Sequence, residues 1–169
     1  FTPVPGTIRN TSSSTLYAEL IDTFFTDNGL NTQSTPQSYR VDFYTRDSNQ
    51  FSQSLPASSV YLSIGAQNEA LNLTWQEEVP WNNTSYVVYR SLDNGVVFDS
   101  LTTVETASYL DTGLINDSTY CYYVESYGAY TLAELADDTL INKSQRICGI
   151  PIDTIPPCPP ALSLSLIHI

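Results

Sequence analysis

The stretch that decides the fold is Leu71-Asn-Leu-Thr-Trp75, followed by Ser85-Tyr-Val-Val-Tyr-Arg-Ser91 and, past Leu114, by Tyr120-Cys-Tyr-Tyr-Val124. Leu71, Leu73 and Trp75 alternate with polar residues, and Tyr86 and Val88 keep the same period of two. A strand so patterned buries one face and wets the other. Leu114, Tyr120, Tyr122 and Val124 are assigned to the same core. Tyr120 stands six residues beyond Leu114, a spacing that suits a tyrosine corner, in which the phenol ties back to the preceding loop.

Working outward, turn signals recur at Asp27-Asn-Gly29, Pro36, Pro56, Gly65, Asp93-Asn-Gly95, Asp111-Thr-Gly113 and Gly128. Such spacing predicts an all-β chain of many short strands. Strands are expected at Ser58–Ile64, Ala70–Gln76, Tyr86–Ser91, Val96–Leu101, Ala107–Asp111, Thr119–Tyr127 and Ser144–Ile150. Asn94 and Gly95 tolerate the positive φ of a tight hairpin turn. Between Ala129 and Leu140, Leu132, Leu135 and Ala136 have helical spacing; the stretch is read as an ordered loop, with one helical turn as the alternative.

Together these residues resemble a fibronectin type III domain, which implies an immunoglobulin-like β-sandwich. In detail the chain is similar to the tandem modules of secreted or surface proteins of Bacteroidetes, including gliding-motility-associated and type IX secretion proteins. Tyr39-Arg-Val-Asp-Phe-Tyr44, Pro56-Ala-Ser-Ser-Val-Tyr-Leu62, Val79-Pro-Trp-Asn-Asn83 and the Pro-rich run Ile147 to Pro160 carry that likeness. An internal repeat adds a partial second copy. Phe25-Thr-Asp-Asn-Gly-Leu30 and Tyr39 to Tyr44 echo Tyr109-Leu-Asp-Thr-Gly-Leu114 and Tyr120 to Glu125. Residues 1–55 are therefore expected to end an upstream module with an exposed sheet edge, 56–152 to form the complete module, and 153–169 to be a Pro-rich linker and a non-native tail.

Composition limits the chemistry. The 169 residues carry 18 acidic and 6 basic side chains, a formal charge of −12 that repels nucleic acid and anionic lipid alike. No apolar run approaches the roughly 20 residues of a membrane-spanning helix, so no direct membrane insertion is expected. Met is absent even at position 1, and the chain reads as a piece of a longer protein. The sole His, His168, lies in the tail, which argues against Ser-His-Asp or Cys-His catalysis and against a Cys/His zinc site. No glycine-rich phosphate loop is present. Glu77-Glu78 and Asp137-Asp138 are weighed as a carboxylate pair or calcium site and read as solvated charges. No catalytic residue, cofactor or metal is expected.

Three cysteines leave three single pairings open. In a fibronectin sandwich the strands bearing Cys121 and Cys148 are neighbours, so the resemblance implies a bridge between them, with Cys158 left over; the alternative is a pair of reduced strand thiols. Trp81, beside Pro80 with Asn82, Asn83 and Tyr109 or Tyr130 nearby, is the candidate ligand platform, weighed against packing over the end of the sandwich. Asp99, Asp117, Asp138 and Asp153 each open an Asp-Ser/Thr triplet of the kind O-glycosylated in Bacteroidetes. Asn10, Asn72, Asn82, Asn83, Asn116 and Asn142 open Asn-x-Ser/Thr triplets. The expected function is a non-enzymatic spacer or adhesive module at the bacterial cell surface or outside the cell. Its partners would be adjacent modules of the same chain, a glycan or a surface protein. The alternative is a carbohydrate-binding accessory module of a secreted hydrolase.

Overall fold

The computed structural model describes residues 26–44, 49–132 and 139–158. The first 25 residues, the run containing Leu135, Ala136 and Asp137-Asp138, and the tail with His168 lie outside the described residues.

In chain order the strands are β1 Ser38–Tyr39, β2 Asp42–Tyr44, β3 Gln50–Gln53, β4 Ala57–Ser58, β5 Tyr61–Gln67, β6 Ala70–Gln76, β7 Asn82–Ser91, β8 Asp99–Val104, β9 Ser108–Thr112, β10 Tyr120–Ala129, β11 Leu140–Lys143 and β12 Ile147–Gly149. Strands β5, β6 and β9 form one antiparallel sheet in the order β5-β6-β9. The other runs β8-β7-β10-β11, with β12 also paired to β10. Ahead of this sandwich β1 pairs with β4 and β2 with β3.

The two sheets close on a core of Val60, Leu62, Leu71, Leu73, Trp75, Val88, Leu114, Tyr120, Tyr122 and Val124, against which Tyr86 and Tyr109 pack. Alternation in β6 works as expected. Leu71 and Leu73 are fully buried while Thr74 and Gln76 face water. Fully burying a side chain of that size stabilises by about 1.5–3 kcal/mol. Trp75 meets Tyr86 edge to face, with ring centroids 5.3 Å apart. The Tyr120 hydroxyl accepts the Ile115 amide N–H at 3.0 Å, the geometry of a tyrosine corner.

Strand boundaries depart from expectation where polar side chains take over backbone bonding. Strand β7 starts at Asn82 rather than Tyr86, because its polar first residues pair with Tyr127, Gly128 and Ala129. Strand β8 starts at Asp99 rather than Val96. The Asp93 carboxylate accepts the amide N–H of Val96 at 3.1 Å and of Val97 at 2.9 Å. That capture bends the chain before it can rejoin the ladder and leaves both valines exposed. Asn94 and Gly95 adopt φ of 58° and 84° in this turn, values that Asn and Gly accommodate best.

The expected last strand, Ser144–Ile150, is strand only over Ile147–Gly149, and β11 ends just before it at Lys143. Ser144 replaces one ladder bond with its side chain, its Oγ accepting the Val124 amide at 2.9 Å while its own N–H donates to the Val124 carbonyl at 2.9 Å. Gln145 then turns inward. Its Nε2 donates to the Leu62 carbonyl at 2.7 Å and its Oε1 accepts the Leu62 amide at 3.1 Å. With the parallel bridge from Val60 to Ser144, these bonds link β5 of one sheet to the edge of the other. A second link is charged. Arg90 Nη1 reaches Asp111 Oδ2 at 2.9 Å, and the Tyr122 hydroxyl donates to the same oxygen at 2.7 Å.

Candidate functional site

Trp81 stands where β6 has ended and β7 begins. Pro80 precedes it, and Gly128 on the neighbouring strand lies under its ring: a Cβ there would come within 2.8 Å of Trp81 Cδ1. Only a glycine lets the indole lie across β10 at this point. The ring meets Tyr130 edge to face at 6.0 Å. Tyr109 is elsewhere, packed on the core.

The indole N–H is used within the chain, donating to Asn83 Oδ1 at 3.0 Å. Asn83 Nδ2 donates in turn to Glu77 Oε1 at 2.5 Å. Glu77 Oε2 accepts Ser126 Oγ at 3.0 Å and Asn142 Nδ2 at 2.9 Å, and Asn142 also reaches the Ser58 carbonyl at 2.8 Å. Glu77 is thus a half-buried hub and not the solvated charge expected of it, whereas Glu78 is exposed and meets Ser58 through its backbone. No local pattern groups these residues in the sequence: Glu77 follows β6, while Asn83 lies on β7 and Asn142 on β11.

Two open clefts flank Trp81. One of about 590 Å³ runs between Trp81, Tyr130 and Leu132 on the sandwich and Tyr39, Val41 and Leu55 ahead of it. The other, of about 370 Å³, lies between Trp81, Ile141 and Asn142 and the segment Gln37 to Ser59. Their walls are apolar and aromatic with few polar groups, suited to contact with a ring face or an apolar side chain. Among the described residues no group of three or more His, Cys, Asp and Glu side chains gathers as a metal site would require.

An aromatic cluster on the outer face of the β7–β10 sheet was not foreseen. Tyr89 stacks on Tyr123 with centroids 4.5 Å apart, Phe98 meets Tyr123 at 5.0 Å, and Lys143 Nζ sits 4.2 Å over the Tyr123 ring. Lys143 also pairs with Glu125 at 2.8 Å. Burial and the Glu125 carboxylate push the Tyr89 phenol up to about 12. For Glu125 itself burial acts upward, but hydrogen bonds from Lys143 and Tyr127 outweigh it and hold the carboxyl below its usual range. Cross-strand neighbours create this patch, and its members are scattered in sequence.

Cys121 and Cys148 face each other in register across β10 and β12 and are joined by a disulfide; Cys158 is free and exposed. Of the Asn-x-Ser/Thr positions, Asn82 is exposed while Asn83, Asn116 and Asn142 are half-buried and hydrogen-bonded. In the Asp-Ser/Thr triplets, Ser100, Thr139 and Thr154 are exposed and Ser118 is half-buried.

The strand order β5-β6-β9 against β8-β7-β10-β11, with its tyrosine corner, defines an immunoglobulin-like β-sandwich of fibronectin type III type. Two of the solved structures that resemble the chain illustrate the likeness. The 6th fibronectin type III domain from human fibronectin type III domain containing protein 3 is 14% identical, with a TM-score of 0.43, covering 60% of this chain and 91% of that one. A β-1,2-glucanase from Parabacteroides distasonis is 16% identical, with a TM-score of 0.41; the match covers 59% of this chain and 13% of the glucanase. No protein-family model and no curated protein matches the chain.

Proposed function

We propose that the chain is a non-enzymatic spacer or adhesive module of a multi-domain protein at the bacterial cell surface or outside the cell. The observation that carries this reading is the placement of its entry and exit. The polypeptide enters beside the start of β5, where Ser58 N–H donates to the Glu78 carbonyl at 2.7 Å and Ser59 N–H to the Gln37 carbonyl at 2.8 Å. It leaves at the far end of β5, where Ile152 N–H donates to the Gln67 carbonyl at 3.1 Å and Asp117 N–H to the Pro151 carbonyl at 3.0 Å. Head-to-tail geometry with both ends pinned suits a unit that sets the distance and direction between neighbours. The Cys121–Cys148 bridge accords with an oxidising compartment, and among the described residues no helix is long and apolar enough to cross a membrane.

Nitroxides at Thr35→Cys and at Cys158, flanking entry and exit, test the proposal. A narrow distance distribution is expected; a broad one would remove the spacer role.

A second reading is favoured by the Trp81 clefts: a carbohydrate-binding accessory module, with the indole as one wall and Tyr130 beside it. A glycan screen separates the two. Binding that Trp81→Ala abolishes, with the melting curve retained, supports the sugar site. The same binding in parent and variant, or none, leaves the spacer.

A further inference from the structure

The hairpin ahead of the sandwich copies, bond for bond, the one inside it. Val41 N–H donates to Ser54 Oγ at 2.9 Å, Ser54 N–H to the Val41 carbonyl at 2.8 Å, and Ser54 Oγ to the Leu55 carbonyl at 2.9 Å. Val124 and Ser144 make the same three bonds, the third to the Gln145 carbonyl at 2.8 Å. The registers agree as well. Tyr39 faces Ala57 and Asp42 faces Gln53, as Tyr122 faces Ile147 and Glu125 faces Lys143. Each hairpin therefore takes a one-residue shift at the same place, and the first takes a further one between Phe43 and Tyr44 that the second lacks.

The repeat extends to the preceding turn. Tyr39 hydroxyl donates to Asp27 Oδ2 at 3.0 Å, as Tyr122 hydroxyl does to Asp111 Oδ2 at 2.7 Å. Each Asp opens an Asp-x-Gly-Leu turn whose glycine has positive φ, 79° at Gly29 and 74° at Gly113. Tyr39-Arg-Val-Asp-Phe-Tyr44 thus superposes in register on Tyr122-Tyr-Val-Glu-Ser-Tyr127, and not on the stretch beginning at Tyr120 as the sequence alone suggested.

One property differs. In the complete copy the inward face is covered by the β5-β6-β9 sheet, and Tyr122 and Val124 are 0% exposed. Its counterpart is open, with Tyr39, Val41 and Phe43 at 38%, 58% and 52%. We infer that residues 27–58 are the turn, central strand and edge strand of a second sandwich, and that the Tyr39-Val41-Phe43 face is a docking surface for residues 1–25 of this chain. Those residues end just before Asp27, which Tyr39 holds at the edge of the open face, and their last two, Phe24 and Phe25, stand at the positions of Ser108 and Tyr109, which open β9 before the same Gly-Leu turn. Leu16, Leu20, Ile21, Phe24 and Phe25 give this segment apolar side chains to set against that face. Tyr39 and Val41 also line the larger Trp81 cleft, so a segment covering this face would compete with a sugar there, while the spacer reading is unaffected.

The test places a photo-crosslinking p-benzoylphenylalanine at Phe43 in the full chain, with the same residue at Ile152 as a control of similar exposure. Irradiation is expected to join position 43 to a peptide from residues 1–25 within one chain, and Ile152 is expected to give no such product. Val41→Asp, which sets a carboxylate on the face, should abolish that cross-link while the near-ultraviolet spectrum of the sandwich is retained. Cross-links between two chains would assign the face to a second copy and overturn the inference. So would cross-links to the sandwich alone, no cross-link at all, or a product that survives Val41→Asp undiminished.

Discussion

The carboxamide of Gln145 is paired with both backbone polar groups of Leu62, donating to its carbonyl at 2.7 Å and accepting from its amide at 3.1 Å. A side chain here completes bonding that a neighbouring strand would otherwise supply, and it does so at a fully buried residue. Gln145→Leu keeps the bulk but leaves both Leu62 groups without a partner. The expected cost is about 2–4 kcal/mol, read as a lowered urea midpoint at unchanged m-value. A midpoint equal to the parent's would show that the two sheets do not depend on this tie.

Arg90, Asp111 and Tyr122 form the charged link between the sheets, with the Asp111 side chain only 4% exposed. Removing the cation strands a buried carboxylate, whereas removing the phenol hydroxyl leaves the ion pair in place. Arg90→Met should therefore cost about 3–5 kcal/mol and Tyr122→Phe about 1.5–3 kcal/mol. The order matters more than either value. A reversed order in thermal or urea unfolding would mean that Asp111 is held mainly by the tyrosine.

At high pH the outer aromatic patch should weaken the fold. The Tyr89 phenol, ordinarily near 10, is pushed up to about 12. Between those values the unfolded chain has released a proton that the native chain retains, so stability falls as pH rises. The contribution is intact below about pH 10 and is lost progressively toward about pH 12. Burial and the bond to Asp111 raise Tyr122 in the same direction. Tyr89→Phe should remove the Tyr89 portion of the alkaline loss, visible as a flatter stability curve over that interval. Glu125, held low, acts at the acid end, where its contribution is lost as pH falls below the ordinary carboxylate range.

Protein prepared without reductant should yield a Cys121–Cys148 peptide on mapping and one thiol, at Cys158, toward an alkylating reagent. Replacing both bridged residues with Ala should cost about 3–4 kcal/mol, the chain-entropy value for a sequence separation of 27. Three reactive thiols in the untreated protein would contradict the pairing.

What could be read from sequence was periodic. Leu71, Leu73 and Trp75 announce β6 because burial on one face imposes alternation, and Tyr120 announces its corner because Leu114 stands at a fixed spacing before it. What could not be read was bonding between distant polar groups. Nothing local distinguishes Gln145 or Asp111 from surface residues, since each is buried only because a partner arrives from the opposite sheet. The same holds at the candidate site. Trp81 stood out by residue type, but its partner Glu77 looked like one of two adjacent surface acids, and only the approach of Ser126 and Asn142 makes it a hub. The hairpin at Asp93 was displaced for a related reason, because a carboxylate competing for backbone amides overrides the strand preference of Val96 and Val97.

The bridge between β10 and β12 has a mechanical consequence. If the chain is pulled from its two ends, load arriving at Gly149 passes through Cys148 into Cys121, and so into β10, which is bonded to β7 as well as to β11 and β12. The 27-residue separation between the cysteines then cannot lengthen, which withholds about 90 Å of contour at the extended-chain rise. A reducing environment would release that length, so the reach of this segment under tension is set by the redox state of one pair of sulfur atoms.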